Sequence, residues 1–231
     1  MLYPIRINKY LADKKIASRR EADELIKLGK VTINGKKAEL GAMIQEADKV
    51  EVEGSLKKLV YLAFNKPVGI ITHSPQGDEM GISDILKFNQ EVFPLGRLDK
   101  DSHGLIILTN DGRMTDRLLN PMFEHEKEYE VEVSEPLTEN FIKQMEQGVK
   151  LDGGYTTQKC IVKKLDDNIF SIILTEGKKR QIRRMCTALG YEVLDLKRVR
   201  VMNIELGDLK EGHYRIIFGA EKEEFLKKLG L

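Results

Sequence analysis

Residues 93–111 read FPLGRLDKDSHGLIILTND, which sets one carboxylate, Asp99, between a glycine-arginine pair and a run of aliphatic side chains. A loop aspartate of this kind can act as a nucleophile or accept a proton, provided that neighbouring charges keep it ionised. Arg97 and Lys100 flank it, and Gly96 and Gly104 bracket the loop with backbone conformations closed to other residues. Leu105, Ile106, Ile107 and Leu108 have the pattern of a strand covered on both faces, so Asp99 is expected at the rim of a buried sheet. Rigid scaffolds usually carry their chemistry on such loops. The same spacing also suits a plain surface loop in which Asp99 caps Ser102 or pairs with Arg97.

A second reactive stretch begins at Thr175 and runs TEGKKRQIRRMCTALGYEVLDLKRVRV. Its spacing predicts a helix starting at Glu176-Gly177, with Ile182, Met185, Cys186 and Leu189 inward and Lys179, Arg180, Arg183 and Arg184 across the remaining arc. Gly190 is its expected stop. Arg183, at the edge of the apolar stripe, is suited to bidentate contact with a carboxylate or phosphate. Residues 194–201 then alternate, leaving Lys197, Arg198 and Arg200 available to a nucleic-acid backbone.

The elements that must position these groups are legible in part. At 231 residues, 41% hydrophobic and 32% charged, the chain is long enough for one sizeable core and a small satellite domain. No apolar run approaches the length of a membrane span, and the first residues lack the apolar centre of a signal peptide, so a cytoplasmic protein is expected. Cys160 and Cys186 form no CxxC pattern and the four histidines have no metal spacing, so neither a disulfide nor a metal site is expected. The net charge of +1 hides a segregation. Residues 1–37 carry ten Lys and Arg against four Asp and Glu, and residues 178–200 carry eight against two, so the remainder is strongly acidic. Two basic islands in an acidic background point to two contacts with a polyanion, although each alone also suits a solvated helix face.

In the first island Ile7, Tyr10 and Leu11 recur at helical spacing. Ser18-Arg-Arg-Glu21 has the form of a capping box, opening a second helix with Ala22, Leu25, Ile26 and Leu28 inward and Gly29 as its stop. Asn34-Gly35 is a hairpin signal, followed by strand-like alternation through residues 50–53. Two helices on a small sheet would gather Lys9, Arg19, Arg20 and Lys30 near the first turn of the second helix, whose free amides favour a phosphate. This stretch, RINKYLADKKIASRREADELIKLGKVTING, resembles the S4 RNA-binding domain. The resemblance implies RNA contacts at Lys9, Ser18, Arg19, Arg20 and Lys30.

A domain boundary is expected in the linker, so that residues 1–54 form an S4-like α/β domain, 55–59 join, and 60–231 form a second domain. Beyond it, residues 59–64 and 70–72 read as strands around a turn at 65–69, and residues 73–81 as a polar loop. A short helix carries Met114, Leu118 and Leu119 and ends before Pro121. Residues 128–133 alternate with Tyr129, Val131 and Val133 inward. A helix around residues 141–147 and a strand-rich stretch from 158 to 175 complete a mixed, largely antiparallel α+β domain.

The motifs GRLDKDSHGLIILTND, KEYEV and EGKKRQIRRMCTALGYEV, in this order behind an S4-like domain, resemble the RsuA branch of the pseudouridine synthases. The resemblance implies isomerisation of uridine to pseudouridine in ribosomal RNA without metal or cofactor, with a large-subunit stem-loop as the preferred target and a small-subunit one as the alternative. It makes Asp99 the essential carboxylate, Tyr129 the platform for the target base and Arg183 the basic partner that keeps Asp99 ionised. Arg97, Lys179, Arg180, Arg184 and Arg198 become further RNA contacts. Whether Asp99 attacks C1′ or removes the 2′ proton stays open, as does a noncatalytic ribosome-assembly role; a nucleoside hydrolase would need a paired acid and base that the chain does not display. A monomer is expected, since no large unexplained apolar face appears.

Overall fold

The computed structural model describes residues 3–14, 16–53 and 59–231. Of the linker expected at residues 55–59, residues 55–58 lie outside the described residues.

The N-terminal part contains β1 (Ile5–Arg6), α1 (Ile7–Asp13), α2 (Arg19–Lys27), β2 (Val31–Ile33), β3 (Lys36–Lys37), β4 (Met43–Ile44) and β5 (Val50–Val52). The capping box at α2 forms as expected: Ser18 Oγ accepts from the Glu21 amide at 3.3 Å, and the Ser18 amide donates to Glu21 Oε2 at 2.8 Å. Ile7, Leu11, Ala22, Ile26, Val31 and Ile44 bury their side chains between the helices and the strands. Asn34 and Gly35 both take positive φ, 52° and 77°, which matches the right-handed twist of the β2–β3 hairpin. Two expectations fail at the far end of α2. Leu28 is 67% exposed because the helix closes at Lys27 and Gly29 turns the chain away. Lys30 follows that turn, so the nine-residue helix separates it from Arg19 by about 13 Å.

The larger part follows in the order β6 (Tyr61–Lys66), α3 (Ile82–Ile85), β7 (Phe93–Leu95), β8 (His103–Thr109), α4 (Met114–Leu119), β9 (Lys127–Val133), α5 (Glu139–Gln147), β10 (Ile161–Lys164), β11 (Ile169–Leu174), α6 (Gln181–Ala188), β12 (Val193–Val201), β13 (Ile204–Glu205), β14 (Tyr214–Ile216) and α7 (Gly219–Lys228). Among the described residues they build a nine-stranded sheet with the path β10-β11-β9-β12-β8-β6-β14, to which β7 and β13 attach at β8 and β12. Every pairing is antiparallel except β8 with β12. The mixed, mainly antiparallel α+β architecture expected from the sequence is the one observed.

Strand β8 is covered on both sides, as its composition demands. Leu105 and Ile107 pack with Tyr61, Ala63 and Phe225, whereas Ile106 and Leu108 pack with Leu62, Phe64 and Ile82. A third apolar cluster lies toward the other end of the sheet, where Tyr129, Val131, Val133, Phe170 and Ile172 meet Phe141 of α5 and Ile182, Met185 and Cys186 of α6. Truncating one of the buried rings there to alanine costs about 3–5 kcal/mol.

Three local readings are corrected. Residues 70–72 form no strand beyond a single bridge from Ile71 to Gly81, and β6 runs on through Asn65 and Lys66 instead of turning there. Helix α6 begins at Gln181, five residues after Glu176. Elements α3, β7, β14 and α7 appear where no pattern was read. Among the described residues no helix is long and apolar enough to cross a membrane.

Candidate active site

Asp99 sits in the loop between β7 and β8, and that loop is fixed from beneath. Thr72 Oγ1 donates to the Leu98 carbonyl at 2.7 Å and accepts from the Leu98 amide at 3.1 Å, satisfying both polar groups of a buried residue with one hydroxyl. The Gly69 amide donates to the Lys100 carbonyl at 2.7 Å, and the Ser102 amide closes a turn on the Asp99 carbonyl at 3.1 Å. Gly96 and Gly104 take φ of 81° and 101°, as their places at the ends of the loop require. At Gly104 the constraint is doubled, since an added Cβ would lie 2.3 Å from the Arg198 carbonyl oxygen of the neighbouring strand. Lys100 turns away from Asp99 to pair with Glu79 at 2.9 Å.

The basic partner of Asp99 is not the expected one. Arg183 donates to the Asp101 carbonyl at 2.8 Å and to the Val193 carbonyl at 3.0 Å, and its Nε lies 3.3 Å from the Asp101 carboxylate. Arg180 approaches Asp99, with Nη1 at 3.9 Å from Oδ2. The same guanidinium holds Asp101 in a bidentate pair at 3.0 and 2.8 Å. The cause is the late start of α6. Arg180 occupies its N-cap with left-handed backbone angles, φ 51° and ψ 35°, and projects toward the loop, while Arg183 is one turn further in. Hydrogen bonds from Arg180, reinforced by the charges of Arg183 and Arg180, hold the Asp101 carboxyl below the usual carboxylate range.

Beneath the loop lies Lys66, fully buried at the end of β6. Its ammonium donates to the carbonyls of Pro67 at 2.8 Å and Ile70 at 2.9 Å. Burial lowers its pKa to about 8, against the opposing pull of the Asp101 and Asp99 carboxylates. Cys186 is buried in the adjacent cluster and its thiol is pushed up to about 12 by burial, which suits a packing role.

A cleft of about 1180 Å³ opens over Asp99. Tyr129, Arg97, Lys179, Arg180 and Arg198 line it, together with Ser18, Arg19 and Arg20 of the N-terminal part. Tyr129 is rooted in the core cluster behind it and lies directly across the ladder from Arg198. Arg198 is only 4% exposed and donates from Nε to the Leu105 carbonyl at 2.6 Å, so it is not on an open face as the alternation had suggested. Arg200 is likewise engaged, with Glu128 at 2.8 Å and Glu126 at 3.1 Å. Arg184 turns to the Asp152 carbonyl at 2.8 Å, and Lys9 shares a smaller groove with Arg6 and Arg19.

Residues 60–188 match the RNA pseudouridylate synthase family, and residues 5–50 match the S4 domain. This chain is an RNA pseudouridylate synthase. The chain is 44% identical to the dual-specificity RNA pseudouridine synthase RluF of Escherichia coli K12, covering 96% of this chain and 79% of that one. It is 37% identical to the ribosomal large subunit pseudouridine synthase B of Bacillus subtilis, over 91% of each chain. A crystal structure of a pseudouridylate synthase superposes with a TM-score of 0.71 at 28% identity, covering 97% of this chain and 99% of the other. Pseudouridylate synthases isomerise uridine in RNA to pseudouridine, so the chain is an enzyme whose substrate is RNA.

Sequence reasoning missed Asp101, Thr72 and Lys66, which brace or charge the loop of this synthase. The pair of aspartates around Lys100 was a signal for the first; Thr72 and Lys66 come from an adjoining strand and turn, and only the fold brings them under the loop.

Proposed function

We propose that this synthase modifies a uridine in ribosomal RNA, with a large-subunit stem-loop as its target. The large-subunit synthase of B. subtilis among its relatives and the two basic islands support this reading. In it, Asp99 is the catalytic carboxylate, acting at C1′ as a nucleophile or at C2′ as a base; both routes begin from an ionised Asp99 at the ribose. Tyr129 is the stacking platform that keeps the detached base in the cleft while it turns. Arg183 acts as a positioning residue through Asp101 and Ser102, and Arg180 supplies the positive charge nearest Asp99. Arg97, Lys179, Arg19 and Arg20 meet phosphates around the cleft mouth, with Lys9, Ser18, Lys30, Arg184 and Arg198 as further RNA contacts. Extruding the target from its stack costs a few kcal/mol, which these cations offset. Residues 1–54 act as the S4-like unit and 60–231 as the catalytic unit of a cytoplasmic monomer that needs no cofactor.

The observation that carries the proposal is the placement of Asp99 on a braced loop in the same cleft as Tyr129. The test maps pseudouridines by carbodiimide-dependent primer-extension stops in ribosomal RNA from cells lacking the gene, complemented with wild type or Asp99→Asn. A stop restored by wild type alone identifies the nucleotide and the role of Asp99. A map that does not change on deletion would move the substrate to another RNA, and activity in Asp99→Asn would end the catalytic assignment.

A further inference from the structure

Among the described residues, two cations of the cleft that are withdrawn from its exposed mouth, Lys127 and Arg198, have no anionic partner. Lys127 lies two positions before Tyr129 on β9, so both side chains share one face of the sheet. Arg198 stands opposite Tyr129 on β12 and therefore on that same face. The Lys127 ammonium donates to the His125 carbonyl at 2.9 Å, and Arg198 Nε to the Leu105 carbonyl at 2.6 Å. Burial, and then the charge of Arg198, lowers the pKa of Lys127 to about 8. Nearby cations are treated differently: Arg200 is matched by Glu126 and Glu128, and Arg180 by Asp101. Positive charges held away from water without a counter-ion cost stability, and such costs concentrate where a ligand supplies the missing charge.

We propose that Lys127 and Arg198 stabilise the negative charge that develops on uracil while the base is detached from the ribose. The inference rests on the reading that Asp99 and Tyr129 work in this cleft. Phosphates of the RNA meet the exposed cations at its mouth, whereas Arg198, almost wholly buried and across from Tyr129, is reached by a flipped base. When the C1′–N1 bond breaks, its electron pair leaves with the base, and the charge spreads from N1 onto O2 and O4. C1′ is compensated either by a bond to the Asp99 carboxylate or by a C1′–C2′ double bond, with the 2′ proton on Asp99. Turning the ring about its N3–C6 axis exchanges N1 with C5 and O2 with O4. Donors that hold the two carbonyl oxygens therefore find the same pattern before and after the turn. The C5–C1′ bond then forms as Asp99 leaves C1′ or returns its proton to C2′, the C5 proton departs to solvent, and N1 takes up a proton from solvent.

The test compares wild type, Lys127→Met and Lys127→Arg in single turnover on an RNA in which wild type forms pseudouridine, carrying uridine or 5-fluorouridine at the target. Fluorine stabilises the detached anion, so it reduces the help required from the protein. Lys127→Met is expected to slow glycosidic cleavage of uridine by about 100-fold, as loss of one donor to a developing anion does elsewhere. The deficit is expected to shrink at least tenfold with 5-fluorouridine, Lys127→Arg is expected to retain most activity, and RNA affinity in an Asp99→Asn background is expected to stay constant. An equal deficit on both bases, no deficit, or weakened affinity in that background would overturn the proposal, the last assigning Lys127 to a phosphate. Should Lys127→Met fail to fold, the alkaline limb of the rate decides. It is expected near pH 8 in wild type and shifted upward in Lys127→Arg, and a limb that does not move refutes the role. Turnover by Asp99→Asn would refute the Asp99 assignment while leaving the fluorine comparison valid.

Discussion

Asp101 organises more of the charge around the reaction loop than Asp99 does. It accepts both arms of Arg180, faces Arg183, and among the described residues leaves Asp99 with a single ion pair, at 3.9 Å. This division suits the proposed role of Asp99, because a tight bidentate pair on it would occupy the oxygens that meet the ribose in that mechanism. Asp101→Asn is expected to keep the fold and reduce the single-turnover rate by about 10- to 100-fold, since small misplacements of a reacting group have effects of that size. Melting curves alongside the rates separate this outcome from unfolding, and a wild-type rate would remove Asp101 from the site. Asp99 and Tyr129, which share one cleft, were singled out in the sequence because each stands in a short motif of unusual composition. The role of Asp101 was not, because one sequence does not tell which of two aspartates two residues apart a distant arginine will choose.

At the scale of elements, the reaction loop borrows its rigidity from the chain segment after β6. Thr72→Val keeps the shape of the side chain but strands the amide and carbonyl of buried Leu98, with an expected loss of about 1–3 kcal/mol in urea unfolding. An unchanged midpoint would mean that the loop finds other partners. Lys66 gives the same region a pH signature. Its folded-state pKa is about 8 against 10.5 for the free side chain, so between these values the unfolded chain binds more protons and stability rises with pH. Relative to Lys66→Met, wild type is expected to gain up to about 3 kcal/mol across that window, and parallel curves would refute it. The difference between the two proteins cancels the cysteine thiols, which are pushed up to about 12 and act in the opposite sense above pH 9. Strands β8 and β9 and helix α2 were readable from aliphatic runs, alternation and a capping box. The start of α6 was not, because it depends on Arg180 adopting a left-handed backbone that no propensity favours and that tertiary ion pairs stabilise. Helix α7 has a weak apolar stripe and is held by tertiary contacts, Phe225 and Leu226 packing on the sheet with Leu229 beyond its end and Glu221 pairing with Arg215.

For the molecule as a whole, the two parts approach each other closely at Gly112. An added Cβ at Gly112 would lie 2.6 Å from Ser18 Oγ and 2.8 Å from Ser18 Cβ, and the next nearest atom is Glu21 Oε2 at 3.3 Å. All three belong to the capping box of α2, so Gly112 is the seat for the N-terminal part. Gly112→Ala is expected to widen the distance between the two parts, measured by fluorescence transfer, and to raise KM for long RNA while sparing kcat. Adding Ser18→Gly removes the clash at a cost to the cap of only a few tenths of a kcal/mol and is expected to restore the distance between the two parts. Failure of the double substitution to rescue would show that Gly112 acts within its own domain.

The shared cleft also has a kinetic meaning. In the proposed reading, an RNA first caught by Arg19 and Arg20 is tethered a short way from Asp99, so its second contact is an intramolecular event at an effective concentration in the ~mM range. Capture and chemistry are thus tuned on separate surfaces: a charge added to α2 lengthens the residence of the RNA without disturbing the geometry that breaks the glycosidic bond.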